Sequence, residues 1–111
     1  MKSLSIACVA AVISTATLAA APDMTIFSFE TKLSQEECLA LGAKAMRSSG
    51  LTKNFETVGQ TVYGEVGDYT GAIRCMAAKG LVFIIVAGPG AGGPNGTAAI
   101  NKKLEDAFVS P

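Results

Sequence analysis

Residues Tyr69 to Val86 constrain the fold more than any other stretch of this chain. They read as two strands joined by a tight turn at Lys79-Gly80, where glycine supplies the positive φ that such turns need. From Leu81 to Ala87 every residue is apolar, the pattern of a strand covered on both faces. The first strand of the pair carries Cys75. This hairpin is expected at the centre of a small sheet, with the rest of the chain arranged to cover it.

The sequence has 111 residues, enough for one domain. Its beginning reads as an export signal. Lys2 is followed by an apolar run from Ile6 to Ala16, broken only by Ser14 and Thr15, and then by the small residues Ala19, Ala20 and Ala21. The run is shorter than the roughly 20 residues of a membrane span, so no stable membrane anchor is expected. Cys8 stands too early for a lipoprotein signal. Residues 1–20 are therefore read as the signal, cut near Ala19–Ala21, and residues 21–111 as a single α+β domain.

Removal of the signal takes Lys2 and Cys8 with it and leaves eight basic against nine acidic side chains. A surface so close to neutral offers no electrostatic footprint for nucleic acid or for an anionic membrane. The two remaining cysteines, Cys38 and Cys75, most simply pair as one disulfide in an exported chain. In the chain-entropy account, closing that loop stabilises the fold by about 4 kcal/mol.

In chain order, Asp23 to Thr31 reads as a first strand, with Phe27 and Phe29 on one face and Ile26 on the other. Ser34-Gln35-Glu36-Glu37 is a capping box, and Leu33 and Cys38 stand at the positions of a hydrophobic staple. The helix this opens runs to about Ser49, and Gly50 is placed to end it in the left-handed conformation. Its inner stripe is Cys38, Leu41, Gly42, Ala45 and Ser49. Asn54 to Val66 reads as one long second strand, with Gly59 and Gly64 marking bulges or the close approach of another backbone. Gly67-Asp68 suits a two-residue hairpin turn. A glycine-rich loop, Gly88 to Gly96, precedes a last helix in which Ile100, Leu104, Ala107 and Phe108 recur at helical spacing. The expected architecture is a two-layer α+β sandwich in the order β-α-β-β-β-α. It has a mostly antiparallel four-stranded sheet with two helices on one face, ferredoxin-like in part.

The chemistry is bounded by what is missing. The chain contains no histidine, which removes Ser-His-Asp and Cys-His nucleophiles and histidine zinc sites. Two widely separated cysteines form no Cys-x-x-Cys redox pair. Gly88-Pro89-Gly90-Ala91-Gly92-Gly93 matches Gly-x-Gly-x-x-Gly. It lacks the second parallel strand and the later acidic residue of a dinucleotide site, and its prolines remove two amides. Glu65 and Asp68 imitate a carboxylate pair but sit where acidic residues ordinarily form turns. No catalytic residue, metal site or cofactor is implied. The Asn95-Gly96-Thr97 sequon has meaning only in a eukaryotic secretory pathway.

One face of the sheet is left open if both helices cover the other. Cys75 points toward the helices to meet Cys38, which places Arg74 on the open face. There it either pairs with Glu56 or Glu65 or anchors an acidic ligand, with Tyr63 or Tyr69 beside it. Val82, Ile84 and Val86 occupy the open face if Leu81, Phe83 and Ile85 point inward, and the opposite phase exchanges the two sets. Either way large apolar side chains are left uncovered, a common route to a dimer or partner surface. The leading expectation is a non-enzymatic module that binds a protein partner or forms a homodimer. The alternative is a binder of small molecules or anions using Gly90 and Gly92 of the glycine loop together with Arg74.

The mature chain also resembles small exported bacterial proteins of uncharacterised function. These pair a cysteine early in the first helix, here Cys38, with a Tyr-Thr-x-Ala-Ile-Arg-Cys strand, here Tyr69 to Cys75. A Val-Ala-Gly strand end follows, here Val86 to Gly88. The resemblance covers nearly the whole mature domain and implies export and a disulfide. It carries over no catalytic residue.

Overall fold

A computed structural model describes residues 22–90 and 96–110. The export segment, its cleavage site, Gly92 and Asn95 lie outside the described residues. The elements are β1 (Pro22–Glu30), α1 (Gln35–Ser48), β2 (Lys53–Val58), β3 (Thr61–Val66), β4 (Tyr69–Met76), β5 (Leu81–Pro89) and α2 (Thr97–Val109), with a short 3-10 turn at Ala77–Lys79 between β4 and β5.

α1 forms because both of its ends are specified locally. The Ser34 hydroxyl accepts from the Glu37 amide at 3.1 Å and the Glu37 carboxylate accepts from the Ser34 amide at 3.0 Å, so two amides left over at the helix start are satisfied reciprocally. At the other end Gly50 takes φ +85°. The Leu51 amide donates to the Met46 carbonyl at 2.9 Å and the Gly50 amide to that of Arg47 at 3.1 Å. That is the double bond of a Schellman cap, and Met46 and Leu51 are both fully buried beside it.

The sheet has five strands in the order β1-β5-β4-β3-β2, every neighbouring pair antiparallel. The α+β class stands, but the four-stranded expectation is corrected. The stretch read as one long strand folds back on itself at Gly59-Gln60, with Val58 paired to Thr61. Gly59 there has φ +57°, a conformation that costs glycine nothing and other residues a good deal. The next turn, Gly67-Asp68, repeats the device, with Gly67 at φ +56° and Val66 paired to Tyr69. The partial ferredoxin-like likeness also needs revision. β1 lies at one edge against β5 and β2 at the other, so the β1–α1–β2 connection spans the whole sheet.

Both helices pack on one face. From the sheet they cover Val62, Ile73, Cys75, Val82, Ile84 and Val86, and they contribute Met46, Leu104 and Phe108 to the same core. α1 comes close to the strands because Gly42 presents no side chain: a Cβ there would stand 3.3 Å from Ile73 Cγ2. The Cys38–Cys75 disulfide joins the first turn of α1 to β4.

Candidate functional site

With both helices on one side, the other side of the sheet has no covering layer among the described residues. The antiparallel register fixes what lies there, because directly opposed residues share a face. One row across all five strands is Ile26, Ile85, Ala72, Tyr63 and Glu56. The next row toward one end is Ser28, Phe83, Arg74, Thr61 and Val58, and toward the other end Met24, Ala87, Thr70, Glu65 and Lys53. Leu81 and Met76 extend the apolar patch beyond Phe83. The side chains are graded across the sheet: all apolar on β5, mainly apolar on β1 apart from Ser28 and Glu30, mixed on β4 with Thr70 and Arg74, and more polar toward β2. Met24 and Ile26 are 59% and 62% exposed.

This corrects the first-named phase of β5. Val82 and Ile84 are fully buried beneath the helices, and Leu81, Phe83 and Ile85 look outward, each half-buried by its neighbours. The cause is the pairing of Cys75 with Val82. A cysteine that points inward to reach Cys38 takes its cross-strand partner with it. The signal was present in the sequence, since any β4–β5 loop with an even number of residues sets Cys75 opposite an even-numbered position of β5.

Arg74 stands on the open face as expected, but without a carboxylate partner among the described residues. Its guanidinium donates to Thr61 Oγ1 at 3.3 Å and to Gln60 Oε1 at 3.0 Å. Among the described residues the ion pairs are Lys53–Glu65 at 3.8 Å and Lys102–Asp106 at 2.8 Å. The Arg74 charge therefore rests on neutral oxygens, between Phe83 and Thr61 in its row. Tyr63 lies one row away on the same face, opposite Ala72. Tyr69 does not join them. It sits on the helix-covered side at the far end of β4, its ring against Gly88, where any Cβ would collide with it. Of the two tyrosines expected beside Arg74, Tyr63 thus shares its face and Tyr69 does not, and Gly90 is an exposed turn residue just past β5.

No protein-family model matches the chain, and no curated protein or solved structure does either. The site must be read from its own chemistry. Among the described residues no three His, Cys, Asp or Glu side chains gather where they would hold a metal, and no helix is long and apolar enough to cross a membrane. Glu37 is held below the usual carboxylate range by its hydrogen bonds from Ser34. Lys102 is raised by its hydrogen bond and charge pairing with Asp106. Both are helix-surface groups with local partners, remote from the open face.

A polar cluster on the covered side fixes the apolar edge of that face. The Asn101 side-chain amide, buried on α2, donates to the Thr25 carbonyl and hydroxyl, both at 3.2 Å, and to the Ile84 carbonyl at 3.1 Å. Thr97 donates to Asp23 at 2.7 Å, and Thr25 to the Thr97 carbonyl at 3.2 Å. Asn101 was hidden in the sequence because a polar side chain on an amphipathic helix reads as solvent-facing. The one available sign was that Asn101 falls at helical spacing with Leu104 and Phe108.

Proposed function

We propose that this chain is an exported, non-enzymatic module that associates with another protein, or with a second copy of itself, through its uncovered sheet face. The observation that carries the reading is the continuous apolar block formed by Met24 and Ile26 on β1, Leu81, Phe83 and Ile85 on β5, and Ala72 and Met76 on β4. Single exposed apolar residues are ordinary, whereas a contiguous patch on one sheet face marks an association surface. Arg74, set among these residues with only neutral acceptors, gives the surface a polar anchor of the kind enriched at interfaces. The disulfide supports export, since such bonds persist in oxidising compartments.

The test uses the mature chain recovered after export. Light scattering reads self-association, and chemical cross-linking in the intact compartment reads other partners. Ile26→Asp and Phe83→Asp are expected to abolish the complex while far-ultraviolet circular dichroism stays unchanged. Lys44→Asp, on the exposed side of α1, serves as the control and leaves it intact. A complex that survives both face substitutions overturns the reading, as does a wild-type chain that forms none.

A further inference from the structure

The two edges of the sheet are finished differently. β2, at one edge, is short, carries Lys53 and Glu56, and loses its register between them, where Asn54 takes φ +51°. Charge and irregularity of this kind keep an edge from pairing with another strand. β1, at the other edge, runs nine residues in unbroken register with β5. Met24 and Ile26 are exposed on its open side, and Phe27 is 41% exposed on its helix-covered side. A partner stacked on the open face would not reach Phe27, whereas a strand laid along the edge covers both sides at once.

The backbone of β1 is set for such a strand. The Thr31 amide donates to the Gly80 carbonyl at 2.9 Å, and inward and outward groups alternate along an antiparallel ladder. Thr25, Phe27 and Phe29 thus bond to β5. Met24, Ile26 and Ser28 turn their amides and carbonyls away from the sheet, where no strand among the described residues pairs with them. We propose that this edge takes β1 of a second copy of the chain, antiparallel about a two-fold axis normal to the sheet at Ile26, so that two five-stranded sheets become one.

A second copy is the occupant because the edge complements itself. Around that axis Ile26 opposes its own copy, Met24 opposes Ser28 and Thr25 opposes Phe27, and the outward residues exchange both of their hydrogen bonds. Asp23 falls opposite Phe29 and Glu30 opposite Pro22, so neither carboxylate meets its like, as each would in a parallel pairing. α2 agrees. Asn101 fastens it beside Thr25, and the Phe108 ring stands 5.3 Å from that of Phe29. It therefore runs along β1 and lies antiparallel to its copy across the axis. Ile100 and Lys103 turn toward Ser49 at the end of α1, which leaves Ala98, Lys102, Glu105 and Val109 on the flank beyond β1. Reversed about the axis, Lys102 meets Glu105 of the second copy and Ala98 meets Val109. The dimer leaves the open face free, and so goes beyond the association proposed for that face.

The experiment is amide exchange read by ¹⁵N–¹H NMR on the mature, oxidised chain, dilute and concentrated, beside analytical ultracentrifugation. As the dimer forms, the Met24, Ile26 and Ser28 amides are expected to slow by more than about ten-fold. Ser28→Pro removes one outward donor and none from the β1–β5 ladder. It abolishes the dimer while the Thr25 and Phe27 amides stay protected. Phe83→Asp, on the open face, leaves the dimer and its protection intact. Lys102→Glu and Glu105→Lys each weaken it, and a mixture of the two variants favours the mixed dimer about five-fold over like pairs. The proposal is overturned by a chain that is monomeric at every concentration, by a dimer whose three amides exchange as in the monomer, or by one that survives Ser28→Pro. Protection that comes only with a different protein also overturns it. So does a dimer that Phe83→Asp splits, a result that leaves the open-face reading standing.

Discussion

At Gly64 a single hydrogen decides how closely the segment after α1 lies on the sheet. A Cβ at this position would run into the carbonyl oxygen of Leu51, and one at Gly71, its partner on the neighbouring strand, would meet Leu51 Cδ2 at 2.6 Å. The two glycines face each other across β3 and β4 and make a flat seat for Leu51, which is fully buried. Gly64→Ala forces backbone against backbone, and an unfolding free energy lowered by about 2–3 kcal/mol is expected in denaturant titration. A neutral result would show that Leu51 can move aside. Glu37 gives a pH signature at the same scale. Its hydrogen bonds from Ser34 lower its folded pKa below the ordinary value of 4.5. The stability it contributes is therefore present above the unfolded value and lost as pH falls through the lowered one. Glu37→Gln keeps an acceptor but no titrating charge. The wild-type advantage over this variant is expected to shrink as pH drops below 4.5, read by urea unfolding across the acid range. An advantage that persists undiminished in acid counts against the capping role.

Among the elements, α1 was legible because its signals lie within a few residues of one another: a capping box, an alanine- and leucine-rich body and a glycine stop. Only Met46 escaped the expected stripe, although it lies four residues after Gly42 and so belongs to the same helical face. The β2–β3 hairpin was not legible. Its turn, Gly59-Gln60, interrupts a β-rich run with a single glycine, which by pattern alone is as consistent with a bulge as with a reversal. Long-range pairing chose between them. The place of β1 was also hidden, because nothing local says which edge it joins. Asn101 holds it there by donating to the Thr25 carbonyl and hydroxyl, while the same amide reaches the Ile84 carbonyl on β5. Asn101→Ala leaves the buried Thr25 and Ile84 carbonyls one donor short, and a loss of about 2–3 kcal/mol is expected. Amide exchange should quicken first along residues 23–29 of β1, while β3 and β4 stay protected. Uniform quickening across the sheet would show that β1 is no separate unit.

Taken whole, the molecule is two layers, and the start of α1 is fastened to the sheet by two devices of different chemistry. Cys38–Cys75 bonds the first turn of α1 to β4. Beside it the Gln35 side chain donates to the Cys75 carbonyl at 2.7 Å and accepts from the Ala77 amide at 3.0 Å. The disulfide was legible from the two cysteines left once the export segment is set aside, but the glutamine clamp was not, since it depends on where β4 ends. The covalent link closes a loop of 37 positions, worth about 4 kcal/mol by chain entropy. Small domains hold only about 5–15 kcal/mol in total, so the double variant Cys38→Ala/Cys75→Ala should still fold but melt on the order of 20 °C lower. The two devices secure the same junction, so their removal should not be additive. With the disulfide intact, Gln35→Ala is expected to cost about 1 kcal/mol, because the cysteines hold the helix start in place while water satisfies the freed groups. Without the disulfide the same substitution should cost clearly more, since the clamp then fixes the helix start alone. The four proteins of this cycle, compared by urea unfolding, decide the matter. A Gln35→Ala cost equal in both backgrounds would mean that the glutamine bonds only stiffen the β4–β5 turn. A larger cost in the disulfide-free background would make Gln35 the group that brings Cys38 and Cys75 together before oxidation, and faster disulfide formation in the wild type than in Gln35→Ala should accompany it.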